Sequence, residues 1–225
     1  MRIDPAAGGE GRGCVSEDEA MALDPMLTPT AIGDLRPTQI TVGFHEVAEK
    51  RKRWAKMPED KRAPFLGRHM IPVILGPKGR AYVIDHHHLV RALHEEGCSE
   101  VLTTTVKDLS MLEKDAFWIF ADNSGWCHPY DATGARLGFA DIPKSIDDLT
   151  DDPYRSLAGA VRRAGGCAKV TTPFSEFMWA DFLRRRLKRK AVDSDFSAAV
   201  VESLALAKSQ DAKFLPGWCG PSPDD

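Results

Sequence analysis

Cysteine is scarce in this chain, and the few cysteines have no metal-binding spacing. Five of them are scattered over 225 residues, with no CxxC pair. An odd number of cysteines without that spacing argues against a disulfide scaffold and against a structural zinc site of the finger type. We therefore expect free thiols and a reducing, cytoplasmic location.

Long apolar runs and a strong charge imbalance are also missing. No stretch of the sequence is long enough to cross a bilayer, and the first twenty residues lack the hydrophobic segment of a signal peptide. The net charge is only −3, so the molecule as a whole is not an electrostatic surface for nucleic acid. With 43% hydrophobic and 28% charged residues, the composition is that of a globular protein without a membrane partner.

The two ends of the chain differ from its middle. Residues 1–30 are rich in glycine, proline and acids and are predicted to be a disordered N-terminal segment, and residues 211–225 are predicted to be a flexible tail. Between them, the patterns predict an α/β (α+β) core over residues 31–112. A helical extension over residues 113–210 is expected to pack on that core.

Local signals place the main elements. The stretch IPVILGPKGRAYVID predicts two strands joined in a hairpin by Gly-Pro-Lys-Gly, and SEVLTTTVKDL predicts another strand. FHEVAEKRKRWAKM predicts an amphipathic helix. Further on, Asp152-Pro153 and Thr172-Pro173 are the predicted N-caps and first residues of two helices.

Three of the seven histidines stand together in YVIDHHHLVRALHEEG, where a strand pattern changes into helical spacing. Asp85 is the predicted N-cap of the helix, and Gly97 is its predicted stop. His86, His87 and His88 then occupy the first helical turn. Free backbone N–H groups and the positive end of the helix dipole favour an anion such as phosphate at that place.

Three interpretations of the histidines remain open at this stage. They form a structural helix start, a phosphate or nucleotide site, or part of a metal site. Consecutive helical residues point in different directions, so three histidines in a row cannot ligate one ion well by themselves. A metal site would need Asp85 or a distant partner such as His45 or Glu46. An imidazole with a pKa near the usual ~6.5 also suits general acid or base catalysis.

The early helix carries His45, Glu46, Glu49 and Lys50, which are typical of a solvated polar face. The functional alternative is that Glu46 or Glu49 supplies a catalytic carboxylate. Later in the chain, PFSEFMWADF has Phe174, Phe177, Met178 and Phe182 at helical spacing. This stripe predicts core packing, with a homodimer surface as the alternative.

A basic run, RRRLKRK, covers residues 184–190. Such a run at a helix C-terminus is often a solvated end that suits the helix dipole. The alternative is a nucleic-acid patch made by Arg184, Arg185, Arg186 and Lys188. It lacks interleaved aromatic residues and a recognisable helix-turn-helix.

The central motifs, taken in order, resemble the ParB/sulfiredoxin superfamily. They are Pro72-Val73, the strand Tyr82 to Ile84, the turn Asp85 to His88, Arg91-Ala92, Gly97 and the strand Val101 to Val106. The chain is most similar to the group described as putative ParB-like nucleases, over roughly residues 34 to 190 of this sequence.

The resemblance implies a small mixed sheet with flanking helices and a helical C-terminal extension. It further implies that the turn binds a nucleotide (ATP, ADP or CTP) with Mg²⁺, or acts on a phosphoester. On this basis Asp85, His87, His88 and Glu46 are the candidate catalytic residues. His86, His87, His88 and Arg91 are the candidate phosphate ligands, and no set of metal ligands is identified.

The chain also departs from the superfamily pattern. His86 stands where a glycine is usual, and Leu89 stands where an arginine is usual. Gln39 replaces the acidic residue of the serine kinases, and no cysteine stands at the turn, which argues against sulfiredoxin chemistry. A DNA-binding or nucleotide-responsive protein without turnover is therefore the alternative to an enzyme.

Overall fold

The computed structural model describes residues 27–221, which form a sheet covered by helices and a further helical cluster. The strands are β1 (Leu27–Ala31), β2 (Arg36–Pro37), β3 (Thr41–Val42), β4 (Ile71–Gly76), β5 (Arg80–Val83), β6 (Glu100–Asp108) and β7 (Thr150–Asp151). The helices are α1 (Phe44–Ala55), α2 (Glu59–Arg68), α3 (His87–Glu95), α4 (Lys114–Asn123), α5 (Pro153–Arg163), α6 (Ser175–Arg184), α7 (Arg189–Ser194) and α8 (Phe196–Lys208). No helix in this part of the chain is both long enough and apolar enough to cross a membrane.

The main sheet has five strands in the order β1-β6-β4-β5-β2. β4 and β5 form the predicted antiparallel hairpin, β6 runs parallel to β4, and β1 closes the far edge antiparallel to β6. β3 and β7 form a separate parallel pair. The mixed sheet, its flanking helices and the C-terminal helices confirm the fold that the sequence motifs predicted.

Three apolar clusters hold these layers together. On one face of the sheet, Val73 and Val83 pack with Val47 of α1 and Leu93 of α3. On the other face, Phe117 of α4 packs with Ile74 and Tyr82. The third cluster lies among the C-terminal helices and includes Leu157, Leu183 and Ala199. α4 therefore packs with the sheet, and the separate helical cluster begins at α5.

The predicted boundaries at the two ends of the chain need correction. Residues 27–30 belong to β1, which pairs with β6, so the predicted disordered segment was too long, and residues 1–26 lie outside the described part. The predicted flexible tail was also wrong at its start. Ala212 and Leu215 are buried in the third cluster, and Trp218 packs against them. These contacts join distant segments, which local composition does not reveal.

The helix ends test the predicted caps. Gly97 follows α3 with a positive φ of 78°, as its role as a stop requires. The Asp152 side chain accepts from Tyr154 N at 3.1 Å, so its role as the cap of α5 is confirmed. The other two predicted caps were wrong, because His86 is the N-cap of α3 and Phe174 is that of α6.

Candidate active site at the histidine turn

His87 and His88 point into the protein interior and are almost fully buried. The backbone N–H of Thr38 donates to His87 Nε2 at 3.3 Å, and that of Gly43 donates to His88 Nε2 at 2.9 Å. Each ring is therefore neutral with its proton on Nδ1. Burial, reinforced by the charge of Arg155, holds the pKa of both rings well below 6.5. The sequence predicted that these histidines bind phosphate oxygens. Their Nε2 atoms cannot donate to phosphate, because they already accept hydrogen bonds from the backbone.

His86 differs from its two neighbours, because it has a left-handed backbone conformation (φ 66°) and a half-buried ring. Its pKa is lowered, mainly by burial and also by Lys50 and Lys169, while Asp85 opposes the shift. The ring is therefore neutral at pH 7. Asp85 is exposed, and its Oδ1 accepts from His86 N at 2.6 Å. Asp85 thus stabilises the strained turn and does not cap the helix.

The segment before α1 is held against the histidine turn and α5 together. A Cβ at Gly43 would lie 2.2 Å from Ser156 Oγ and 2.6 Å from Ser156 N, so only glycine fits there. Because Gly43 has no side chain to cap α1, neighbouring elements do so. Asp151 Oδ1 accepts from Phe44 N at 2.7 Å, and Ser156 Oγ accepts from Glu46 N at 3.2 Å.

A cavity of about 700 Å³ opens at the histidine turn, and we call it the turn cavity. Its lining includes residues 85–88 and the start of α6 with its preceding loop. The N-caps of α3 and α6, His86 and Phe174, are both non-glycine residues at positive φ, and neither caps its helix with a side chain. Such strained residues cluster at functional sites.

Basic side chains from three separate segments line the turn cavity. Lys50 comes from α1, Arg162 from α5, and Lys169 from the loop after α5. The first two N–H groups of α3 have no intrahelical acceptor, as at any helix start. The turn cavity thus combines positively charged side chains with fixed N–H donors, which is the chemistry that anion binding requires. Neither Arg162 nor Lys169 was predicted from the sequence, because no local pattern marks them.

Arg155 is a further residue that the sequence did not assign to the site. It is almost fully buried at the wall of the turn cavity, where Nη1 donates to Thr41 O at 2.7 Å. Nη2 donates to Glu176 Oε1 at 3.1 Å, and the guanidinium lies 3.8 Å from the centre of the Phe177 ring. Arg155 joins α5 to α6 and disfavours protonation of the neighbouring histidines.

The predicted catalytic carboxylate, Glu46, does line the turn cavity, but other groups already bind it. Burial alone would raise its pKa, yet ion pairs with Lys50 and Arg163 outweigh burial and lower the pKa. A carboxylate in this state is a poor proton acceptor at neutral pH. Glu49, the alternative, pairs with Lys52 on the exposed side of α1.

Arg91 lies apart from the turn cavity. Its Nε pairs with Glu95 at 2.5 Å, and its Nη1 donates to the carbonyl of Ile146 at 3.0 Å and also to that of Asp147. These bonds hold the loop before β7 against α3. The structure therefore gives Arg91 a structural role rather than the predicted phosphate contact.

The basic run does not form one continuous positive surface. Arg184 is largely buried and binds Asp152 Oδ2 at 2.5 Å, and Arg186 lies 3.8 Å from the centre of the Phe182 ring. Arg185 pairs with Asp181 at 2.9 Å, although it is exposed, and Lys188 is exposed at the start of α7. None of the four lines the turn cavity.

The apolar stripe of α6 divides between the core and the turn cavity. Phe182 is buried in the third cluster, whereas Phe174 and Phe177 line the turn cavity and pack around His128. Burial lowers the pKa of His128 to about 3, and nearby arginines add to the effect. Met178 remains exposed, so it is the residue of this stripe that a homodimer surface would use.

Metal binding has limited support from the side chains. Within residues 27–221, no group of three or more His, Cys, Asp or Glu residues is arranged to hold a metal ion. His45, a predicted alternative ligand, stacks on Phe196 with ring centres 4.0 Å apart. Asp85 remains a carboxylate at the turn cavity, and Mg²⁺ commonly uses one protein carboxylate together with substrate phosphates.

Comparison with known proteins agrees with this fold. A family model described as putative ParB-like nuclease matches residues 28–185. The structure is also similar to the crystal structure of protein Atu1540 from Agrobacterium tumefaciens, with a TM-score of 0.83 and 55% sequence identity. That alignment covers 89% of this chain and 100% of the other. The search of curated proteins found no match.

Proposed function

The chain belongs to the putative ParB-like nuclease family, and from that membership and the turn cavity we propose that it binds a nucleotide or another phosphoester. The main support is that the uncapped first turn of α3 lines the same cavity as Lys50, Arg162 and Lys169. The phosphate lies against the free N–H groups of His87 and His88, and the three cations surround it. The cavity volume, about 700 Å³, is in the range of small-molecule sites.

We assign the chemical step, phosphoester hydrolysis or phosphoryl transfer, to Asp85 and His86. His86 is neutral at pH 7 and half-buried, so its imidazole can accept a proton from a hydroxyl or water as that oxygen attacks phosphorus. The bond from phosphorus to the leaving-group oxygen breaks in the same step, and the leaving group takes its proton from solvent. Asp85 would hold Mg²⁺, which would neutralise phosphate charge when bound. His87 and His88 support this step by holding the turn in place.

The binding test is calorimetric titration with ATP, ADP and CTP, each with and without Mg²⁺. We expect Lys169→Gln to lose about tenfold in affinity, since a charged hydrogen bond contributes about 1.5 kcal/mol or more. Lys61→Gln makes the same change on exposed α2, away from the turn cavity, and should bind normally. If no nucleotide binds, or if the two variants bind alike, the proposed site is wrong.

The turnover test uses His86→Asn, because asparagine tolerates the left-handed conformation at this position. Release of inorganic phosphate should fall by about 100-fold or more, the usual contribution of a general base, while nucleotide affinity changes little. Unchanged turnover would exclude His86 from the chemistry. Complete absence of turnover in the unmodified protein would favour the nucleotide-responsive alternative without catalysis.

The DNA-binding alternative has support from family membership and from the exposed Arg185 and Lys188. The ion pairs of Arg184 and Arg185 reduce the charge that the run presents to a phosphate backbone. We therefore keep it as the second candidate. We also propose that the protein acts in the reducing cytoplasm, since its four described cysteines are free thiols.

A further inference from the structure

Gln39 is a buried amide at the turn cavity whose orientation is determined by one hydrogen bond. Its side chain is only 5% exposed, and Nε2 donates to Thr41 O at 2.8 Å. Because a carbonyl oxygen can only accept a hydrogen bond, the amide nitrogen of Gln39 must face Thr41 O and the amide oxygen must face away. Within residues 27–221 this is the single hydrogen bond of the Gln39 side chain, so Oε1 has no partner.

The unpartnered oxygen belongs to a residue that lines the turn cavity, and we infer that it is reached from that cavity. Gln39 is one of the residues that line this cavity, and Oε1 is not among the polar atoms sealed in the described interior. Because the residue is almost fully buried and its amide nitrogen is bound to Thr41, Oε1 offers an oriented acceptor to a ligand N–H group. The Gln39 oxygen is therefore an oriented acceptor that can bind a hydrogen-bond donor of the ligand.

Neighbouring contacts place Gln39 between the histidine turn and an aromatic wall. The preceding residue, Thr38, donates its N–H to His87. On the other side, Gln39 forms a β-bridge with His128, whose ring centre lies 3.6 Å from that of Phe177 and 4.8 Å from that of Phe174. Phe174 and Phe177 are only partly buried, and Trp126 lines the turn cavity with them.

We propose that Gln39 determines base specificity by accepting a hydrogen bond from the exocyclic amino group of a nucleobase. The base lies against the wall of Trp126 and Phe174, and the phosphates lie at the first turn of α3. Adenine and cytosine carry an amino group that can donate to Oε1. Hypoxanthine and uracil carry an oxo group at the same position, which cannot donate, so we expect them to bind more weakly. This inference rests on the proposed function and adds the ligand class to it.

The test compares ATP with ITP and CTP with UTP, because each pair differs at the exocyclic position. In calorimetric titrations the unmodified protein should bind the amino member of each pair about tenfold more tightly or better, since the mismatched base leaves Oε1 unpaired. Gln39→Met should weaken the binding of ATP and CTP, so that the affinity ratios ATP to ITP and CTP to UTP both come close to one. Gln210→Met, the same change at an exposed position outside the turn cavity, should keep the original ratios.

Gln39→Met is expected to fold, because Arg155 Nη1 still donates to Thr41 O. The ratios of the unmodified protein do not depend on any variant, and equal affinities for the two members of each pair would overturn the proposal. A preference that persists in Gln39→Met would overturn it as well. If nucleotides bind and Lys169→Gln weakens their binding, but the unmodified protein shows no base preference, only the Gln39 proposal fails. If no nucleotide binds, the proposed function fails with it.

Discussion

Two runs of similar side chains stand out in this chain, the three histidines at residues 86–88 and the six basic residues within residues 184–190. The histidines lie at the turn cavity, yet two of them are turned into the core and bind backbone N–H groups. The basic residues are divided among ion pairs, an aromatic contact and solvent. In both runs, neighbours in sequence have different structural roles.

The largest expected effect in this comparison is a loss of stability in acid. Burial lowers the pKa of His87, His88 and His128 in the folded protein below the ordinary 6.5, to about 3 for His128. Below pH 6.5 the unfolded chain therefore binds more protons, and stability falls as the pH falls. The loss begins near pH 6.5 and is about 1.4 kcal/mol per pH unit for each histidine that stays neutral in the folded protein, so three such histidines cost about 6 kcal/mol by pH 5.

Urea unfolding at pH 7, 6 and 5 measures this loss. His88→Gln keeps an acceptor for Gly43 N but does not titrate, so it should lose about 2 kcal/mol less than the unmodified protein over this range. His94→Gln removes a more exposed imidazole of the same helix as a control. A pH profile that His88→Gln leaves unchanged would mean that His88 is not buried as a neutral ring.

The next effect concerns the basic run. Arg184→Met leaves the Asp152 carboxylate buried without its 2.5 Å partner, and breaking a buried pair in this way costs about 3 kcal/mol. Arg185→Met makes the same change at the next residue, which is exposed and pairs with Asp181, and should cost less than about 0.5 kcal/mol. Urea unfolding of both variants at pH 7 distinguishes them. Equal losses of unfolding free energy in the two variants would show that Arg184 and Arg185 contribute equally to stability.

The smallest expected effect is on DNA binding. Arg185→Gln combined with Lys188→Gln removes two exposed charges of the run without disturbing Arg184. We expect the variant to bind a short duplex within about twofold of the unmodified protein in low salt, with a similar salt dependence. A fall in the salt slope by about two units would instead identify the run as a phosphate-backbone contact.

Much of the fold was predictable because its signals are local. The alternation of β4 and β5 around Gly-Pro-Lys-Gly predicted the hairpin, and the spacing after residue 88 predicted α3 with its stop at Gly97. β1 was missed because LTPTA has little strand character until it pairs with residues 100–104 of β6. The burial of Leu215 was missed for the same reason, since its partners lie in helices far along the chain.

Local signals were enough to predict that a strand-to-helix turn would carry three histidines and a carboxylate, because caps, stops and periodicity act over a few residues. Packing between distant segments then buried His87 and His88 against backbone N–H groups and left His86 half-buried. Gly43 and His88 are 45 residues apart, and their hydrogen bond turns His88 inward. Arg155, Lys169 and Gln39 likewise reach the site from separate segments. Long-range packing sets the burial and the partners of these groups, and burial and partners determine what each can do chemically.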